Sequence, residues 1–251
     1  MNNEAPKPNL YVWWFVAGLP LGLVVMGALS FIFYFHKRHQ RETPQPSRFA
    51  AMMRKDVSMD DFTRYQRVFA DIGERTLNKP ENLGAAASFI ESTMGIDNMG
   101  YAVTRREFPI QGKSVASIEA ELHGTKRPRD LVLLIARYDG KNTREIAALL
   151  CVANALTGTP VASTVRFVAL AVGNDEDQKN NGAVLYRDWI NRSEFDAVTV
   201  VMDETSLENA VIKTALKEKA TAFVGLPLTQ AISFDELKQC EAIISKLADG
   251  K

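Results

Sequence analysis

The chain has 251 residues, with 30 Lys+Arg balanced by 30 Asp+Glu, so its formal net charge is zero. That balance argues against nucleic-acid binding, which needs a basic face. Two cysteines, Cys151 and Cys240, are too few for a disulfide framework or a zinc knuckle.

Residues 1–10 form a polar leader with Pro6 and Pro8, and the composition predicts disorder there. Residues 11–35 then carry no charge, a run long enough to cross a bilayer as a tilted helix. Tyr11, Trp13 and Trp14 cluster at one end and Phe33, Tyr34 and Phe35 at the other, as an aromatic belt requires. A cleaved signal peptide fits poorly: the run is too long and no small-x-small cleavage site follows. The lipid bilayer is therefore the first partner expected. Gly18 and Gly22 have the spacing of a helix-pairing motif, with Pro20 between them.

A basic juxtamembrane segment and proline linker occupies residues 36–57, with Lys37, Arg38 and Arg41 close to the span. The positive-inside rule places the domain that follows in the cytoplasm. The opposite orientation stays open as the alternative. Anionic headgroups offer the same cluster a second contact.

The folded domain is expected over residues 58–251. Ser58 and Asp61 resemble a helix-capping pair, followed by a helical stripe of Phe62, Tyr65, Val68, Phe69 and Ile72. A second helix is predicted over 82–94, with Gly95 at its C-terminal cap position. Runs 101–108 and 114–122 alternate as strands and suggest a hairpin around Gln111-Gly112. In the second run Val115, Ser117, Glu119 and Glu121 share one face, the pattern of an edge or half-exposed strand. His123 beside Gly124 reads as a turn residue.

Leu131 to Ala136 is a continuous apolar run, as in a strand buried on both faces. A helix over 144–156 follows, with Ile146, Leu149, Leu150, Ala153 and Leu156 on one stripe. Cys151 falls on this helix and reads as a buried thiol. A second buried strand spans 164–172, completing a strand–helix–strand crossover. A helix over 182–190, a strand over 197–202 ending at Asp203, and a capping box at Ser233 and Glu236 complete the pattern. The fold class is thus α/β: a mixed, mostly parallel central sheet with helices on both faces. Ligands in such sheets bind beyond the carboxyl ends of the strands. That places Arg137, Asp139 and Lys141 at one mouth and Asp175, Glu176 and Asp177 at the next.

The order of these pieces resembles the zinc-dependent aminopeptidases, whose relatives include glutamate carboxypeptidases and the transferrin receptor. The resemblance is carried by Leu122-His123-Gly124, Ala136-Arg137-Tyr138-Asp139-Gly140, Asn142, Ala147-Ala148-Leu149-Leu150, Arg166-Phe167-Val168, Asp175-Glu176-Asp177, Gly182 and Val201-Met202-Asp203. It covers roughly residues 58–205 and implies a zinc-exopeptidase fold.

The departures lie at the metal ligands. The resemblance puts the first zinc histidine at Arg137 and the bridging aspartate at Lys141. Both are cations, and a guanidinium cannot ligate a metal. Asp139 matches the aspartate that steadies the missing histidine. The family's Glu-Glu pair reaches Asp175 and Glu176 only after a short shift; without it the pair falls on Gly173-Asn174. Asp203 matches the third carboxylate ligand. The family's last ligand is a histidine, and no histidine follows His123.

Each of these residues also has a plain structural role: a solvated loop for 174–181, an ion pair for Arg137 and Asp139, a strand terminus for Asp203. No Gly-rich phosphate loop, Gly-x-Ser-x-Gly elbow or Cys/His dyad is present. Two functions stay open. One is a single-pass, non-catalytic binding or scaffolding protein, a pseudoenzyme with no cofactor expected. The other is an aminopeptidase-type hydrolase with zinc on Asp175, Glu176 and Asp203, Glu176 serving as general base. The remnant site expected in the first reading comprises Arg137, Asp139, Lys141, Asn142, Asp175 and Asp203. There, protein cations would stand in for metals among the carboxylates.

Overall fold

The computed structural model describes residues 25–26, 29–31, 56–173, 181–190, 194–208, 210–229 and 231–250. It divides into two compact units, 1–44 and 45–251. Most of the expected membrane span lies outside the described residues. Those that are described, 25–26 and 29–31, are helical, and Val25, Met26, Leu29 and Phe31 are each more than half exposed. Among the described residues no helix is long and apolar enough to cross a membrane.

The second unit begins with α1 (Met59–Ile72). Ser58 accepts the Asp61 N–H at 3.4 Å, supplying the cap that the sequence suggests. Phe62, Tyr65 and Phe69 face the core. Gly73 ends the helix at φ +84°. The second helix, α2 (Pro80–Met94), starts two residues earlier than expected because Pro80 suits the first helical turn. Gly95 does cap it, but at φ −55° rather than in the left-handed conformation.

Strands β1 (Val103–Ile110) and β2 (Lys113–Leu122) form an antiparallel hairpin. Its two-residue loop has positive φ at Gln111 (50°) and Gly112 (74°), the primed turn that suits strand twist. Next come β3 (Arg127–Arg137), α3 (Arg144–Leu156) and β4 (Ser163–Leu170). They are followed by α4 (Gly182–Arg187), β5 (Ala197–Asp203), α5 (Glu204–Glu208), α6 (Ala210–Leu216), β6 (Ala222–Leu226) and α7 (Phe234–Asp249). The sheet order is β1-β2-β4-β3-β5-β6. The β1/β2 and β2/β4 pairings are antiparallel, and β4/β3, β3/β5 and β5/β6 are parallel. The sheet is therefore mixed, as the sequence predicts.

Helices cover both faces. On one face Phe167 packs edge-on to Tyr101, whose hydroxyl donates to the Ala153 carbonyl of α3 at 2.7 Å. Eleven residues of α3 are buried, more than one stripe, because α1, α2 and α7 pack on the sides the sheet leaves open. Cys151 is among them, and Cys240 is equally buried on α7. The Ser233–Glu236 capping box of α7 forms as predicted, with reciprocal bonds of 3.2 and 2.7 Å.

The opposite face corrects one expectation. β2 is not an edge strand; it lies between β1 and β4. Its polar side is covered by α4, and Ser117 and Glu119 are buried. Glu119 meets Arg106 of β1 at 2.5 Å and Arg166 of β4 at 3.9 Å. Arg166 also donates to Glu121 at 2.8 and 3.0 Å, and Arg106 lies over the Trp189 ring at 4.5 Å. Alternation reports side-chain polarity along one strand. It does not report the cations that neighbouring strands bring to it.

Candidate functional site

The parallel strands β3, β4 and β5 all end at one rim of the sheet. In β3 the ladder runs to Arg137, paired with Leu170 of β4. Tyr138 then turns into the core, its hydroxyl donating to the Ala116 carbonyl at 2.6 Å. Asp139 turns the other way. Its carboxylate accepts from Arg137 Nε at 3.3 Å, from Arg137 Nη2 at 3.4 Å and from the Gly173 N–H at 2.9 Å. The expected Arg137–Asp139 pair is thus formed, with 21% and 7% of the two side chains exposed.

Behind this pair sits a residue that the sequence gave no reason to single out. Arg75 is 1% exposed. It donates to the carbonyls of Tyr138 (2.5 Å), Phe69 (3.0 Å), Gly73 (2.9 Å) and Asn142 (2.7 Å). Its backbone exchanges two bonds with Gly140, at 2.6 and 3.2 Å. Gly140 has φ +82°, a conformation that a side chain would strain. One guanidinium therefore holds the end of α1 to the loop after β3. Burial lowers its pKa from the ordinary value, and the nearby Asp139 charge opposes that shift. No hydrophobic period marks Arg75. A lone arginine after a helix-ending glycine looks like a surface residue.

A second carboxyl group was also missed. Glu145, on the first turn of α3, is buried. It accepts from the Arg137 N–H at 3.4 Å and from the Asn142 amide at 3.1 Å. Desolvation raises its pKa, and the Asp203 charge adds to the rise. The Ser206 hydroxyl, the Arg137 N–H and the Arg137 charge pull the other way. Its place on an apolar helix disguised it as a solvated first-turn acid. Asp203 ends β5 and is 2% exposed. One of its oxygens accepts from the Thr205 hydroxyl, and Oδ1 is buried without a hydrogen-bond partner.

The remaining predicted residues separate. Asn142 joins the group through Arg75, Glu145 and Arg144. Lys141 does not: its side chain is 80% exposed and lies 3.8 Å from Glu74 on the rim. Outward, it keeps its hydration shell, which a lysine gives up reluctantly. The expected cluster with Lys141 inside therefore has Arg75 as its second cation instead. Asp175, Glu176 and Asp177 lie outside the described residues.

A cleft of about 300 Å³ opens at this rim, lined by Arg75, Leu77, Asn78, Gln111, Arg137, Asp139 and Gly173 among others. Among the described residues, the donors lining this cleft do not suit zinc. Asp139 is engaged by a guanidinium, and Arg137 offers no lone pair. Among the described residues no three His, Cys, Asp or Glu side chains are arranged to hold a metal ion.

No protein-family model and no curated protein matches this sequence. Several solved structures share the fold. The Tannerella forsythia glutaminyl cyclase is 12% identical with a TM-score of 0.57, covering 78% of this chain and 100% of that one. A Zn-dependent exopeptidase from Parabacteroides distasonis is 10% identical with a TM-score of 0.57, covering 78% and 99%. A leucine aminopeptidase precursor from Bacteroides thetaiotaomicron is 10% identical with a TM-score of 0.53, covering 78% and 98%. At such identities the likeness is one of fold: an α/β sheet of the zinc-exopeptidase and glutaminyl-cyclase kind.

Proposed function

We propose that the chain is a single-pass membrane protein whose exopeptidase-like domain, residues 58–251, binds or scaffolds a protein partner rather than cleaving peptides. One observation carries this reading. Arg137, at the position that the resemblance gives to the first zinc histidine, is held by Asp139 at the strand end. A permanent cation there repels a second one, and the aspartate that would orient a histidine serves the guanidinium instead. Lys141 at the bridging position and the lack of any histidine after His123 point the same way.

Support for the anchor comes from the uncharged run at 11–35 and from the exposed apolar side chains of its helical residues. The cluster Lys37, Arg38 and Arg41 favours a cytoplasmic domain. A nucleic-acid partner is not proposed.

The buried, unpartnered Oδ1 of Asp203 favours a second reading, a hydrolase with a reduced or displaced metal site on Asp175, Glu176 and Asp203. The two are separated by metal content and turnover in the purified full-length protein. The non-catalytic reading expects substoichiometric zinc after dialysis against zinc. It also expects no release of amino-terminal residues and no cyclisation of amino-terminal glutamine. Zinc near one equivalent with chelator-sensitive turnover would overturn it. Arg137→His alone should not create activity, because Lys141 and the missing final histidine remain.

A further inference from the structure

The sheet has two edges, and they are built differently. β1 forms one edge and carries Arg105, Arg106, Glu107 and Pro109, residues that deter a further strand. β6 forms the other. Ala222–Leu226 holds no charge and no proline, and among the described strands only β5 pairs with it. Alternate N–H and C=O groups along its outer side are therefore left for a strand from outside the sheet. The two ends of this edge differ in charge. The turn Lys217-Glu218-Lys219, which leads into β6, has one net positive charge. Glu204 lies against Gly225 near the far end, where a Cβ on the glycine would meet the Glu204 Cγ at 2.6 Å. Glu204, Lys217 and Lys219 make no ion pair among the described residues.

We infer that β6 is the edge through which a second copy of this chain pairs, antiparallel about a two-fold axis at Val224. The inference rests on the scaffolding reading and names its partner. Charge complementarity selects the occupant: antiparallel pairing turns the lysine end of each β6 towards Glu204 of the other copy. A two-fold contact is isologous, so one patch serves both copies. The same symmetry sets Phe223 of each copy opposite Gly225 of the other, an aromatic ring covering an edge glycine. Val224 meets its own equivalent, and β-branched residues suit such cross-strand pairs. The two sheets then run on as one, with the guarded β1 at each outer end.

The test is disulfide capture of the full-length chain in detergent. Val224→Cys places one thiol of each copy at the axis, at a Cα spacing of about 5 Å that a disulfide can span. Thr104→Cys on β1 is the control, and the native Cys151 and Cys240 are buried. Mild oxidation should give a covalent dimer with Val224→Cys and little with Thr104→Cys. Adding Glu204→Lys sets like charges together and should lower the captured fraction about two- to fivefold, the range of an exposed ion pair. Lys219→Glu in the same chain should restore it. Sedimentation of the charge variants without the new thiol should show the same order of dimer fractions, so the result does not hang on the folding of Val224→Cys. Capture no greater than the control, as when a different protein supplies the strand, would overturn the inference. So would capture that the charge reversals leave unchanged. Metal content and turnover decide the non-catalytic reading, and the disulfide decides the pairing, so the two fail separately.

Discussion

Two buried ionisable side chains set the behaviour of the strand-end loop at the residue scale. Arg75 bonds four carbonyls from two segments, the end of α1 and the loop after β3. Arg75→Met would leave those acceptors unpaired inside the protein, at a cost of roughly 3–5 kcal/mol for a broken buried network. The expected outcome is a lower urea midpoint at unchanged m-value. Arg75→Lys should rescue little, since three donors on one nitrogen cannot span the same fork. Glu145 behaves in the opposite sense. Its folded-state pKa lies above the ordinary 4.5 because burial disfavours the anion. Below the unfolded value both states hold the proton, and the stabilising contribution is fully present. As pH rises through the folded value the unfolded state has already lost its proton, and stability falls. Glu145→Gln should therefore gain stability over the wild type as pH rises from 4.5 towards neutrality, with the gain vanishing below pH 4. Chemical denaturation at several pH values reads this directly, and a gap that widens in acid would refute it.

Elements legible in the sequence were those whose burial comes from their own pattern. The apolar run of β3 and the stretch that forms α3 could hardly be read otherwise, and caps at Ser58 and Ser233 fixed two helix starts. β2 misled because Arg106 and Arg166, on other strands, neutralise its acids. β6 was not assigned: Ala222 to Leu226 is short, and nothing alternates. Arg75 and Glu145 were invisible because their partners are mostly backbone groups or residues far along the chain. Close approach also escapes sequence reading. The backbone of Gly182, which opens α4, leaves no room for a side chain: a Cβ there would sit 1.9 Å from the Ala171 carbonyl oxygen. Gly182→Ala must push α4 off the sheet. It should expose Tyr186 and the Arg166–Glu119 pair, costing about 1–3 kcal/mol as overpacking does. Quenching of Trp189 fluorescence by iodide, together with thermal melting, would show it; an unchanged melting temperature would contradict the packing.

The whole molecule is proposed to be a membrane-tethered domain, and that proposal has its own test. Alkaline carbonate should leave the full-length chain with the membrane, whereas release into the supernatant would remove the anchor. Reporter fusions after residue 251 decide sidedness, an active alkaline phosphatase there arguing against a cytoplasmic domain. The two thiols carry a different consequence. Cys151 and Cys240 sit in the core on separate helices, and burial pushes the Cys240 pKa up to about 12 and that of Cys151 higher still. Neither is a thiolate in the native state at neutral pH, so each reacts with a disulfide reagent only when its helix lets solvent in. The chain thus carries two built-in clocks. Equal labelling rates would mean that α3 and α7 open as one cooperative unit, and unequal rates would reveal which helix frays from the sheet first.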